Sequence, residues 1–264
     1  MKHIVMYSGG IGSWAAAKRV IQAHGKENVI LLFTDTLIED EGLYRFLDET
    51  SAEMGVELVR IADGRTPWEV YRDERFLGNS RLAPCSHELK QKPARKWIEE
   101  HFAPDECVLY LGIDWTESHR IAAPTKNWLP YTVKFPMAEE PYVTKDEMLT
   151  ELERLGIRRP RLYEMGFVHN NCGGFCCRAG QGHFANLLKQ LPDRFAQCEA
   201  NEEAIRQYLG KDVTILKKTR KGVTGPYSLR ELREDIERKN PVDMQDIGGC
   251  GCFVNYDESG EASE

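Results

Sequence analysis

Four apolar runs alternate with segments of helical periodicity through the first half of the chain. The runs are "HIVMY" from His3, "NVILLFT" from Asn28, "VELVRI" from Val56 and "CVLYLGI" from Cys107; the segments include "WAAAKRVIQAH", "GLYRFLDETSAEMG" and "KPARKWIEEHF". Strands joined by helices return to the sheet parallel to one another, and that order predicts an α/β fold, a mostly parallel sheet with helices on both faces, over residues 1–139. Beyond it the strand signal fades. "TKDEMLTELERLG" opens with a capping box, Thr144 followed by Glu147, and closes at Gly156. With "HFANLLKQL" and "DRFAQCEANEEAIRQYLG" it predicts a helical, cysteine-bearing extension over 140–254, followed by an acidic, disordered tail over 255–264. There is no internal repeat.

The 264 residues suffice for one large α/β domain plus an extension. No apolar run approaches the roughly 20 residues that span a bilayer, so no membrane partner is expected. The first strand begins at once, without a secretory leader, which predicts a cytoplasmic protein. A formal net charge of -7 argues against binding nucleic acid by bulk electrostatics. Two local basic stretches, "GIRRPR" at 156–161 and "LKKTRKG" at 216–222 with Lys217, Lys218 and Arg220, read as solvated surface or as small anion-binding patches.

The first strand runs into "YSGGIGS". Ser8, Gly9, Gly10, Gly12 and Ser13 stand where an open parallel sheet binds ligands, between a strand's carboxyl end and a helix's amino end. Three glycines let the backbone curl so that its amides face a phosphate, and the two serines add hydroxyl donors. The pattern is neither a Walker loop nor G-x-G-x-x-G. By itself it fits a phosphate cradle or a tight structural turn.

Eight cysteines suit neither chance nor, in a cytoplasmic chain, a disulfide scaffold. Cys107 and Cys198 read as small buried hydrophobes. Cys172, Cys176 and Cys177 in "CGGFCC", and Cys250 and Cys252 in "GGCGCF", lie among glycines, as in loops that wrap a metal centre. Zinc, an iron-sulfur cluster or uncomplexed thiols all satisfy that spacing. His169 and His183 flank the first knot and read as hydrogen-bonded loop or cap residues.

Taken together, "SGGIGS", "FTDT" at 33–36, "CSHELKQKP" at 85–93, "LGIDWTESHR" at 111–120 and "RLYEMGFVHNNCGGFCCRAG" at 161–180 resemble the PP-loop ATP pyrophosphatase superfamily. The resemblance is to its phosphoadenosine phosphosulfate (PAPS) reductase-like branch and to the ATP pyrophosphatases of DNA phosphorothioation. It implies an adenine nucleotide alpha hydrolase-like, Rossmann-like sheet. It implies ATP with Mg2+ at the loop, with Asp35, Thr36, Gly112 and Glu117 at the nucleotide, and Lys90 and Arg120 neutralising charge on the reacting phosphates. It also implies a four-iron cluster on Cys85, Cys172 and Cys176, with Cys250 as fourth ligand and Cys177 or Cys252 as alternatives. Asp114 stands where the branch carries an arginine, and Ser86 where it carries a second cysteine.

The activity implied is adenylation of an acceptor oxygen followed by its replacement with sulfur. The expected partners are a sulfur donor such as a cysteine desulfurase and a nucleic-acid substrate, met directly or through another protein. One alternative is reduction of PAPS or adenylyl sulfate with Cys252 as tail nucleophile, although the branch's E-C-G-x-H motif lacks its histidine here. Another is a catalytically silent nucleotide-binding subunit.

Overall fold

The computed structural model describes residues 1–249. Strands β1 (Lys2–Met6), β2 (Val29–Asp35), β3 (Glu57–Ala62), β4 (Cys107–Tyr110) and β5 (Thr132–Lys134) form one sheet in the order β3-β2-β1-β4-β5, every pair parallel. Helices α1 (Ile11–His24), α2 (Glu41–Met54), α3 (Pro67–Asp73), α4 (Pro84–Ser86), α5 (Lys92–His101) and α6 (Ala122–Asn127) lie between them in sequence. The order reverses between β1 and β4, as in doubly wound Rossmann-like sheets, which open a ligand crevice at that switch point.

Alternation along the strands sorts the core. Val5, Leu31, Phe33, Val108 and Tyr110 pack under Trp14, Ala17 and Val20 of α1 and Leu43, Phe46 and Leu47 of α2. Ile4, Met6, Leu32 and Leu109 face the other way, onto Ala94 and Ile98 of α5. The sheet is therefore covered on both faces, as its apolar runs predict.

The second half departs from expectation in two places. Helix α7 (Lys145–Arg154), expected to open the extension, completes the layer beside α1 with Met148, Leu149 and Leu152, so the sheet core extends past residue 140. Its capping box between Thr144 and Glu147 is formed. After α8 (Arg161–Glu164), α9 (Gln181–Gln190) and α10 (Pro192–Leu209), the chain folds an antiparallel hairpin, β6 (Leu216–Arg220) and β7 (Val223–Tyr227), before α11 (Leu229–Glu237). The hairpin's first strand and turn are "LKKTRKG", read from sequence as surface in a helical region. Lys221 and Gly222 turn it with φ of 50° and 80°, the backbone a two-residue hairpin loop requires.

Phe175, Phe184, Leu187, Phe195, Tyr227 and Leu232 form a second core, which also takes in Tyr71, Leu77 and Ala83. Glu202, buried on α10, ties its parts together by accepting from the backbone N–H of Ile215 at 2.9 Å and of Leu229 at 2.6 Å. Among the described residues no helix is long and apolar enough to cross a membrane.

Candidate functional site

A cleft of about 530 Å³ opens at the carboxyl ends of β1 and β4, the switch point of the sheet. Ser8, Gly10, Gly12 and Ser13 line it, opposite Gly112, Glu117 and Arg120. The two walls touch through glycine: a Cβ on Gly112 would lie 2.7 Å from the Gly12 carbonyl oxygen, and one on Gly12 would lie 3.1 Å from that of Gly112. Gly9 adopts φ +76°, where a Cβ would also strike Leu43 at 2.7 Å. These glycines let the loop turn under Leu43 and let β4 approach α1. The Ser13 hydroxyl donates to the Gly10 carbonyl at 2.8 Å, fixing the first turn of α1.

Two side chains not anticipated from sequence complete this wall. Tyr163 presents its hydroxyl to the Ile11 N–H at 3.2 Å, and Lys145 stands over the Tyr163 ring with its Nζ 4.2 Å from the centroid. Lys145 lines the cleft together with Arg120, and its burial pulls the ammonium below its ordinary range. Arg120 pairs with Glu117 at 2.5 Å. Lys145 sits at the start of an amphipathic helix, where sequence offers no reason to separate it from a solvated lysine.

Asp35, Thr36 and Lys90 are not in this cleft wall. Asp35 accepts from the Leu37 N–H at 2.8 Å and the Tyr44 hydroxyl at 2.9 Å, the work of a turn residue at a strand end. Thr36 and Lys90 instead border a small apolar cavity with Cys85, Cys172, Cys176 and Cys177. A π-helical turn, His87–Gln91, carries Lys90 inward, where its ammonium lies 3.9 Å from the buried carboxylate of Glu39. Such turns re-aim single side chains and recur at functional sites.

Glu39 is the centre of this second pocket and has no sequence signature. It accepts from the Thr36 hydroxyl at 2.9 Å and from the Cys172 N–H, and burial pushes its carboxyl up against the pull of Lys90. Cys172 itself has φ +56° and is followed by Gly173 and Gly174 at +57° and +83°, three left-handed residues in succession. The Cys85 and Cys177 sulfurs are 3.9 Å apart, and the Tyr71 hydroxyl lies 3.2 Å from Cys85. The hydrogen bond from Cys177, with those of Tyr71 and the charge of Lys90 behind it, holds the Cys85 thiol below its ordinary range. Burial raises Cys172, whereas Cys177 is raised first by its role as donor to Cys85.

Four thiols around one apolar cavity, with the Lys90 ammonium beside them, form a donor set for a soft metal centre. Among the described residues, no three His, Cys, Asp or Glu groups are gathered as a formed metal site, and the cavity holds only about 20 Å³. The residues fit such a centre in kind, and the knot must spread to hold one. Cys177, one of three alternatives for the fourth ligand, is brought into the knot. Cys250 and Cys252 lie outside the described residues. The chain leading to them is fixed by a bridge between Ala179 and Gly248, and Ile247, Gly248 and Gly249 line the cleft at the carboxyl ends of β1 and β4.

The remaining cysteines and histidines have plain roles. Burial drives Cys107 up to about 11 and Cys198 up to about 12, which leaves both inert in the core. His183 hydrogen-bonds the Gly174 carbonyl at 2.8 Å and stacks on His169, buttressing the knot.

No known protein-family pattern matches the chain, and no curated protein matches it in sequence. Among solved structures it is similar to the phosphoadenylyl-sulfate (PAPS) reductase from Candida auris in a phosphate complex. That likeness has 12% identity over 63% of this chain and 79% of that one, with a TM-score of 0.43. It is also similar to the U34-tRNA thiolase NcsA from Methanococcus maripaludis with its [4Fe-4S] cluster, at 16% identity over 79% and 71% and a TM-score of 0.46. A third is the NH3-dependent NAD synthetase from Campylobacter jejuni in complex with nitrate, at 12% identity over 79% and 84% and a TM-score of 0.38.

Proposed function

We propose that the chain is an ATP-using enzyme of the PP-loop type that adenylates an oxygen of a nucleic-acid acceptor and replaces it with sulfur passed through the cysteine knot. The observation that carries this reading is the continuity of residues 169–172. His169 and Asn171 line the nucleotide cleft, Asn170 bonds the glycine loop, and Cys172, next in sequence, lines the thiol cavity. A group activated in one cavity is thus one residue away from the other.

The residues divide the work. The loop and the amino end of α1 receive the phosphates of ATP, with Lys145 and Arg120 as the cations that offset charge building at the α-phosphorus. The acceptor oxygen attacks that phosphorus and pyrophosphate leaves; a sulfur nucleophile then displaces the adenylated oxygen, and AMP leaves. Adenylation is needed because a bare oxygen is a poor leaving group. Cys85, Cys172, Cys176 and a fourth thiolate would hold an iron-sulfur cluster, which when bound supplies a site for sulfide. Lys90 and Glu39 set the charge beside those thiols. A cysteine desulfurase-type donor would renew the sulfur as a persulfide, and a thiol reductant would supply the two electrons that release it as sulfide.

The test is pyrophosphate and AMP release from Mg-ATP by anaerobically purified protein, with and without single-stranded RNA or DNA and a persulfide donor. Release that depends on acceptor and donor supports the reading. Tight ATP binding with no release under any of these conditions would leave a silent nucleotide-binding subunit.

A second reading, reduction of PAPS or adenylyl sulfate, draws on Ile247–Gly249, which deliver the chain to the cleft just before Cys250 and Cys252. Affinity for the two sulfonucleotides measured beside affinity for Mg-ATP separates the readings.

A further inference from the structure

The rim of the cleft carries an aromatic pair that the adenylation chemistry does not use. Trp115 is 41% exposed and Tyr142 53%, while Trp14 and Trp128 are buried. Their ring centroids are 5.4 Å apart at an interplanar angle of 37°; Trp115 itself lines the cleft, as does Val143, the residue after Tyr142. Isolated exposed aromatics are common on protein surfaces; two in contact at the mouth of a ligand cleft are not.

Both rings are carried on fixed loops. Asp114 accepts from the Thr116 N–H at 2.8 Å and also from the Thr116 hydroxyl, closing the turn around Trp115. Arg19, on the helix that follows the glycine loop, donates to the carbonyls of Pro136 at 2.6 Å and Glu139 at 3.0 Å and to that of Pro141, the residue before Tyr142. Loops fixed in this way cost little further backbone ordering when a flat ring is placed on the pair.

The charge distribution narrows the occupant. In the basic hairpin, Lys218 pairs with Asp235 at 2.6 Å and Arg220 with Glu231 at 3.3 Å. In the other basic stretch, Arg159 pairs with Glu153, and Arg161 with Asp40 at 2.8 Å. With much of this positive charge engaged internally and a net charge of -7, phosphate neutralisation cannot supply most of the affinity for a polynucleotide. Stacking on bases can, because it needs a π-face and no net charge.

We propose that Trp115 and Tyr142 form a stacking platform for an unpaired base of the acceptor nucleic acid, which rests on the adenylation reading and names where its acceptor docks. The flat ring of ATP's own adenine shares this chemistry, and the experiment separates the two sources.

The experiment titrates the full-length protein and its Trp115→Ala, Tyr142→Ala and Trp115→Phe variants with labelled single-stranded RNA and DNA of mixed sequence, about 12 nucleotides long. Separate titrations use Mg-ATP. Each alanine variant is expected to weaken oligonucleotide binding roughly tenfold, with Trp115→Phe restoring most of it, while Mg-ATP affinity in Tyr142→Ala, whose ring is outside the cleft lining, moves less than about twofold. Wild-type affinity should fall only a fewfold between about 50 and 200 mM salt, far less than the ~10³-fold of backbone binders. Oligonucleotide binding that is absent, indifferent to both alanine variants or steeply salt-dependent overturns the proposal, as does a loss that falls on Mg-ATP instead. Pyrophosphate release by the wild type is read independently, so failure of the adenylation chemistry is distinguishable from failure of the platform.

Discussion

Asn170 donates its side-chain amide to the carbonyl of Gly9 at 3.0 Å, joining the loop that carries the cysteine knot to the glycine loop at the mouth of the cleft. Asn170 is fully buried, and Gly9 is the residue whose positive φ turns the chain out of β1. The bond spans the two halves of the candidate site and gives the glycine loop a partner that its own strand and helix cannot provide.

Replacing Asn170 with Ala removes that partner and leaves the Gly9 carbonyl buried without it. We expect a stability loss of about 1–3 kcal/mol, together with weaker Mg-ATP binding as the loop loosens. Denaturant unfolding and nucleotide titration on the same variant check both; a variant that unfolds earlier yet binds ATP as well as wild type would separate the clamp from the cradle.

The contact between Gly12 and Gly112 predicts an asymmetry. A Cβ on Gly112 would sit 2.7 Å from a backbone oxygen that cannot move without shifting α1, whereas one on Gly12 would sit at 3.1 Å. Gly112→Ala should therefore lower the melting temperature and abolish Mg-ATP binding, and Gly12→Ala should do both to a smaller degree. Equal effects would show that the approach of β4 to α1 is not what sets the width of the cleft.

The sheet was legible because its strands are apolar runs separated by full helices, and the glycine loop because glycines mark the junction where α1 passes close to β4. Glu39, Lys145 and Asn170 were not. Glu39 and Asn170 take their roles from Lys90, Cys172 and Gly9, distant in sequence, and Lys145 takes its place from Tyr163 on a separate helix that periodicity does not tie to α7. Lys90 was assigned to the phosphates on the resemblance of "CSHELKQKP" alone, and periodicity does not show the π-helical turn that carries it to the border of the thiol cavity. The β6 and β7 hairpin was missed for a related reason: its charged alternation reads as surface, and its turn, Lys221 and Gly222, lacks the Asn-Gly signal.

The thiols of the knot should differ from those of the core. In anaerobically purified protein, Cys172→Ala should remove bound iron or zinc and the visible absorption of any cluster. Cys107→Ala and Cys198→Ala should retain both while losing stability as buried groups do. Because Cys177 lies 3.9 Å from Cys85, Cys177→Ala should match Cys172→Ala in metal content. Full metal in that variant, with loss in Cys250→Ala, would assign the fourth position to the tail.

Two buried groups titrate in opposite senses and give stability a pH dependence that can be dissected. His3 stacks on His24 at 3.6 Å and bonds the Tyr110 hydroxyl at 2.9 Å. Burial, then the charge of His24, lowers it from 6.5 to about 4. The unfolded chain therefore takes up a proton at His3 before the folded one does, so this contribution is present above about pH 6.5 and is lost as pH falls toward 4. Burial raises Glu202 from 4.5 to about 7 against its two backbone donors, so its contribution is full below 4.5 and is lost as pH rises through 7. The two windows overlap between about pH 4.5 and 6.5, so the opposing slopes largely cancel and wild-type stability should change little there. His3→Gln should leave a stability that falls as pH rises, and Glu202→Gln one that rises with pH, each by an amount of order 1–3 kcal/mol between pH ~4.5 and ~7. Urea unfolding at four or five pH values reads both slopes, and a His3→Gln profile as flat as the wild type would show that the stacked pair does not contribute.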